Sequence, residues 1–153
     1  MNIKEKIARL RSVKKEQIFL GVGSDEAIDI LIRIFCNPRE DNIVITPPTY
    51  GMYKVCAKIN DVAVKVTPLT PTFDLDLPSM RCCYDSKTKI IFVCSPGNPT
   101  SKAIPNIDIE DVLAHYKTGA SYLLYILYRV YLESCIGLPK YMCRVSQSTV
   151  YKD

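Results

Sequence analysis

Lys89-Ile-Ile-Phe-Val-Cys94 narrows the possible folds of this chain more than any other segment. Every residue from Ile90 to Cys94 is apolar, without the polar alternation of a strand that has one wet face. Such a strand is buried on both faces, as in a parallel sheet covered by helices on each side. Asn42–Thr46 is a second compact, β-branched strand, stopped by Pro47-Pro48. Val62–Val66 is a third, and Gln17–Leu20, ended by Gly21-Val-Gly23, reads as a fourth.

Helical patterns fill the intervals. From Ser24 to Cys36 the apolar residues Ala27, Ile28, Leu31, Ile32 and Phe35 recur at three- and four-residue spacing. Ser24 is positioned to cap that helix, Asp25 and Glu26 suit the positive end of its dipole, and Asn37-Pro38 closes it. Tyr50–Ile59 predicts a helix with Tyr53, Cys56 and Ala57 on one side. Asn106–Tyr116 predicts another, and Leu77–Tyr84 a weaker one, because Cys82 and Cys83 are poor helix formers. Strands alternating with helices predict an α/β fold, a mostly parallel sheet flanked by helices. Tyr122–Tyr128 fits a buried strand or one face of a helix equally well.

Composition excludes several function classes. The 153 residues suffice for about one domain, and 48% apolar with 24% charged residues is a globular balance. A formal charge of +4 is too mild and dispersed for a nucleic-acid footprint, and no run of about eighteen apolar residues marks a membrane span. Met1-Asn-Ile-Lys-Glu-Lys-Ile has no apolar core of a secretory signal. The 7 cysteines include no C-x-x-C pair, and His115 is the only histidine, so neither a disulfide scaffold nor a metal centre is indicated. The thiols fit a reducing compartment, the cytoplasm or an organelle.

In parallel sheets, ligands bind where strands end and loops lead into helices. Three loops carry unusual residues at such places. Gly21-Val-Gly23-Ser-Asp25 allows a tight turn into a helix whose first N–H groups point outward, which suits an anion such as phosphate. Pro47-Pro-Thr-Tyr50-Gly51 sets an aromatic ring where it can lie on a planar heterocycle. Ser95-Pro-Gly-Asn98-Pro-Thr100 mounts an amide donor between prolines. Taken singly, these loops equally fit a plain turn, ordinary half-buried tyrosines and a turn-stabilising asparagine. A third glycine of the dinucleotide fingerprint is replaced by Glu26, and neither a G-x-S-x-G elbow nor a G-x-x-x-x-G-K-[ST] loop occurs.

In this order and spacing, three segments closely resemble the histidinol-phosphate aminotransferase family, pyridoxal-phosphate (PLP) enzymes of fold type I. They are Gly23-Ser-Asp-Glu-Ala-Ile-Asp-Ile-Leu-Ile-Arg-Ile-Phe-Cys36, Pro47-Pro-Thr-Tyr-Gly-Met-Tyr53 and Val93-Cys-Ser-Pro-Gly-Asn-Pro-Thr100. The resemblance runs from about Lys14 to Ala114 and implies a partial PLP-binding large domain, here residues 1–118, with a divergent tail at 119–153. It implies that Ser24 and Asp25 hold the cofactor phosphate through backbone N–H groups and that Tyr50 stacks on the pyridine ring. Asn98 would donate to the cofactor's phenolic oxygen. The implied reaction moves an amino group between glutamate and imidazole-acetol phosphate, giving histidinol phosphate and 2-oxoglutarate in histidine biosynthesis. The implied assembly is a homodimer.

Departures from the family pattern are equally specific. Ser101 stands where the family has glycine, so a left-handed backbone there would be strained. The Asp-Glu-Ala-Tyr motif, whose aspartate faces the pyridinium nitrogen, is not found after Gly119, and no acidic residue lies between Gly119 and Glu133. The Ser-x-Ser-Lys segment carrying the cofactor-linked lysine is missing too, and Lys140 and Lys152 sit in sequence unlike it. The N-terminal arm and small C-terminal domain of the family are not present in these residues. Most of the 10 tyrosines fall after His115, and 119–153 is expected to derive from an alternative reading frame, a retained intron or a divergent exon. This chain alone is therefore expected to be inactive in transamination. The alternatives are a non-catalytic PLP- or phosphate-binding or dimer-partner protein and, more weakly, a Rossmann-like nucleotide binder.

Overall fold

The computed structural model describes residues 2–115, together with the backbone of Leu124–Tyr128 and Cys143–Ser146. The ordered elements are α1 (Ile3–Arg11), α2 (Gly23–Phe35), β1 (Asn42–Ile45), α3 (Met52–Ile59), β2 (Ala63–Val66), α4 (Leu77–Cys83), β3 (Thr88–Phe92), α5 (Asn106–His115), β4 (Leu124–Tyr128) and β5 (Cys143–Ser146). The strands form one sheet in the order β2-β1-β3-β4-β5. β2, β1, β3 and β4 run parallel, and β5 is antiparallel to β4. The mostly parallel α/β sheet expected from the strand patterns is the one observed.

Continuous apolar strands make three layers. Ile43, Ile45, Ile90 and Phe92 face Ile28 and Ile32 of α2 and Tyr53, Cys56 and Ala57 of α3. Val44, Ile91 and Val93 face the other way, against Leu75, Met80 of α4, Ile104, and Ile109 and Val112 of α5. Successive residues of β3 thus enter opposite cores, as their uninterrupted hydrophobicity requires. Cross-links between Asn60 of the α3 cap and Asp29 of α2 (Nδ2 to Oδ1, 2.7 Å) hold the two helices of one layer together. Among the described residues, no helix is long and apolar enough to cross a membrane.

Three local expectations change. Gln17–Leu20 is not a strand: Lys15–Gln17 is a 3-10 turn and Ile18–Gly21 is irregular. A strand needs a ladder partner, and among the described residues none runs beside this segment; Phe19 and Leu20 stay exposed. α2 begins at Gly23 without a side-chain cap, so Ser24 does not cap it. Instead, Glu26 reaches back one turn and its carboxylate accepts the Val22 N–H. Tyr50 lies just ahead of α3 rather than within it, Gly51 being the N-cap. The segment that fitted strand or helix contributes β4, which pairs with β3 through Ile90 opposite Leu124 and Ile91 opposite Tyr125.

At the opposite edge from the strand-end loops, a polar knot ties three strands together. Fully buried Thr88 donates to Asn42 Oδ1 (2.6 Å) and accepts from the Asp85 N–H (3.0 Å). Asn42 Nδ2 donates to Asp85 Oδ1 (3.0 Å), and Lys65 Nζ to Asp85 Oδ2 (2.8 Å) and the Cys83 carbonyl (2.9 Å). Thr88→Val keeps the shape but strands buried polar partners, and is expected to cost about 1–3 kcal/mol in urea unfolding without a change in slope. Lys65 first, then Asn42, holds the Asp85 carboxyl well below the usual carboxylate range. Its contribution is complete above the unfolded-state pKa of about 3.9 and drains away as pH falls below it. The stability gap between wild type and Asp85→Asn should therefore shrink on acidification from neutrality toward pH ~2, followed by thermal melting.

Candidate functional site

β1, β2 and β3 all end at one edge of the sheet. The loop carrying Tyr50 leaves β1 and the loop carrying Asn98 leaves its neighbour β3, paired there through Ile45 and Phe92. The start of α2 reaches the same edge without a strand to deliver it. Packing of Ile28 and Ile32 beneath the sheet and the Asn60–Asp29 bond set its place.

Gly23 begins α2 with φ of +84°, a left-handed conformation, and open space surrounds its Cα where a side chain would stand. Glycine is needed there for backbone freedom rather than for room. The first-turn amides of an α-helix have no intrahelical acceptor. Among the described residues, no side chain or loop carbonyl accepts from the N–H groups of Gly23, Ser24 or Asp25. Two carboxylates stand beside these amides, and neither takes them. Glu26 accepts from Val22, and Asp25 Oδ1 accepts from the Tyr50 hydroxyl at 2.8 Å. The Ser24 hydroxyl lies 3.5 Å from the same Asp25 oxygen. The bond to Asp25, then partial burial, pushes the Tyr50 phenol up from its ordinary range.

A row of rings carries Tyr50 back into the core. Its ring meets Tyr53 edge-on, with centroids 5.8 Å apart at 84°. Tyr53, fully buried, stacks on Phe92 of β3 at 4.4 Å and 17°. Position 50 is held at one end by an aromatic edge contact and at the other by a charged hydrogen bond. The structure thus brings Ser24, Asp25 and Tyr50 together.

Asn98 is exposed on the loop after β3, and its side chain has no hydrogen-bond partner among the described residues. Its mount is stiff. Buried Ser95 accepts the Ile104 N–H (2.9 Å), Gly97 N–H donates to the Lys102 carbonyl (2.7 Å), and Ser101 N–H donates to the Gly97 carbonyl (2.7 Å). Lys102 pairs with Asp74 (2.6 Å) and bonds the Thr72 carbonyl (2.8 Å), fastening this loop to the one after β2. Pro47-Pro48, Ser95-Pro96 and Asn98-Pro99 are cis.

Glu26, Tyr53 and Ser95 shape the site, although the sequence motifs that contain them give none of the three a role there. The signals were present for two of them: Glu26 is four residues from Val22, and Tyr53 is one helical turn from Tyr50. Ser101 takes φ of +59°, the left-handed backbone expected where the family has glycine. That conformation costs a side-chain-bearing residue about 1–2 kcal/mol, and glycine's extra freedom in the unfolded chain returns roughly 0.5–1 kcal/mol of it. Ser101→Gly should raise unfolding stability by about 0.5–1 kcal/mol. Gly97→Ala should lower it, since a Cβ would overlap the Thr100 hydroxyl; thermal melts of both variants check the two signs.

Comparison with known proteins gives the family and the fold. The family model for aminotransferases of class I and II matches residues 2–125. The chain is 47% identical over 112 residues to histidinol-phosphate aminotransferase of Cytophaga hutchinsonii, an alignment covering 73% of this chain and 32% of that protein. The fold is shared with an aspartate aminotransferase mutant of Thermus thermophilus, with TM-score 0.76, 22% identity, and coverage of 83% of this chain and 37% of that one. It is shared too with cystalysin of Treponema denticola, whose structure contains pyridoxal 5'-phosphate, with TM-score 0.70, 16% identity, and coverage of 80% and 33%. The chain spans about a third of the length of the curated relatives it resembles.

Proposed function

The chain belongs to the class I and II aminotransferases, and from that premise we propose that it supplies the cofactor-phosphate and ring-face portion of a PLP-dependent transaminase of the histidinol-phosphate type. One observation carries the reading: the vacant amides of residues 23–25 and the Tyr50 ring are joined in one place by the bond from Tyr50 to Asp25. Ser24 and Asp25 would receive the phosphate ester through their N–H groups, where the helix dipole favours negative charge. Tyr50 would cover the pyridine ring, and Asn98, with its amide unspent on a rigid loop, would donate to the phenolic oxygen. These groups suit PLP at its phosphate and ring, and when bound it supplies an electron sink for the carbanion formed at the amino-acid substrate.

The substrates of this reading are glutamate and imidazole-acetol phosphate, with histidinol phosphate and 2-oxoglutarate as products, and its assembly is a pair of chains. Residues 1–118 constitute the partial large domain and 119–153 the divergent tail. Lys140 and Lys152, neither in a matching motif, lie outside the described residues. A second reading for these residues, a PLP- or phosphate-binding partner without the chemistry, is favoured by the stretch between Gly119 and Glu133, which offers no acidic residue to face the pyridinium nitrogen.

Titration of the purified 153-residue chain with PLP tests both. The expected result is saturable binding competed by inorganic phosphate, weakened about 2- to 10-fold by Tyr50→Ala through lost stacking. Absence of saturable binding, or indifference to Tyr50→Ala, overturns the cofactor reading. A lysine–PLP adduct fixed by borohydride and abolished by one lysine substitution would favour catalysis by this chain over the second reading.

A further inference from the structure

A carboxylate in the first turn of a helix is favoured by the dipole and can turn back onto the free amides of that turn. At a site meant for an anionic ligand, that carboxylate is a tethered competitor. Asp25 sits in this position, yet none of the three amides donates to it among the described residues. Its Oδ1 is engaged by the Tyr50 hydroxyl at 2.8 Å, with Ser24 Oγ at 3.5 Å. Tyr50 has little freedom to follow Asp25 back toward the helix, because its ring edge rests on Tyr53, which stacks on Phe92.

We infer that the Tyr50 hydroxyl draws the Asp25 carboxylate off the end of α2 and keeps the amides of residues 23–25 vacant for a phosphate group. Asp25 in turn fixes the tilt of the Tyr50 ring. Each is a positioning residue for the other's share of the site: the hydroxyl serves the phosphate end and the carboxylate the ring end. The inference deepens the cofactor reading above and rests on it. Its physical content is a coupling. Removing the hydroxyl while keeping the ring frees the carboxylate to cap the helix, and the anion must then displace it.

Inorganic phosphate is the decisive probe, because it has no ring to stack and reports the amides alone. Tyr50→Phe should weaken phosphate binding about 5- to 10-fold, the value of one hydrogen bond now made by the competitor. Adding Asp25→Ala to that variant should restore wild-type affinity or better, whereas a Tyr50 hydroxyl that only stabilises the loop would leave the double variant as weak as Tyr50→Phe or weaker. If wild type binds and Tyr50→Phe binds equally well, or if the double variant is not rescued, the coupling is wrong while the cofactor reading stands. If wild type binds neither phosphate nor PLP, both fall together. Should Tyr50→Phe not fold, NMR of tyrosine labelled with carbon-13 at Cζ decides between wild type and Asp25→Asn. The Tyr50 phenol should titrate above the ordinary tyrosine range in wild type and drop toward it in the variant; an unchanged titration overturns the inference.

Discussion

Burial of β3 on both faces is the constraint from which the remaining architecture follows. Ile90 and Phe92 lose all contact with water on one side, and Ile91 and Val93 nearly all on the other. Each such side chain is worth about 1.5–3 kcal/mol when removed from water. Helices must therefore cover both faces, α2 and α3 on one and α4 and α5 on the other. Parallel strands with helical crossovers then deliver their loops to one edge of the sheet. The candidate site lies at that edge, where the parallel strands β1, β2 and β3 end together.

The same strand sets the site's fine geometry. Phe92 holds Tyr53, Tyr53 meets the edge of Tyr50, and Tyr50 reaches Asp25 at the start of α2. A ring displaced at position 50 would have to disturb a packed core aromatic or break a charged hydrogen bond. Close-packed interiors transmit such constraints because they leave no slack around a side chain. Binding geometry at the loop is in this sense inherited from the core.

What was legible in the chain follows from how local each signal is. The two-sided burial of β3 and the apolar stripe of α2 are contained in their own residues, and both elements appear within one or two positions of expectation. Gln17–Leu20 has a strand's composition but no ladder partner among the described residues, and a strand depends on its neighbour. Ser24 does not cap α2, because glutamate in the first turn has the longer reach to the Val22 N–H. The signal of α1 is the reciprocal cap of Asn2 and Glu5 around its start, a spacing contained in the first five residues. The knot of Asn42, Asp85 and Thr88 was invisible, since its partners lie 43 and 46 residues apart and meet only after the sheet assembles. For the site, spacing and family resemblance named Ser24, Asp25, Tyr50 and Asn98. They did not reveal that the hydroxyl of one and the carboxylate of another are bonded.

That bond also resolves an electrostatic conflict in the sequence. Asp25 and Glu26 favour helix formation because they place negative charge at the positive end of α2. The same charges would repel an anion approaching that end. The two carboxylates are disposed differently: Glu26 accepts the Val22 N–H ahead of the helix, and Asp25 accepts the Tyr50 hydroxyl beside it. Each keeps its favourable interaction with the dipole while leaving the amides of residues 23–25 without an acceptor. First-turn amides at an open helix end are ordinarily met by water, and an inward-turned carboxylate would take at least one of them instead. Under the proposed reading an anionic group takes the place of that water, which ties the local electrostatics of α2 to the loop that opens it.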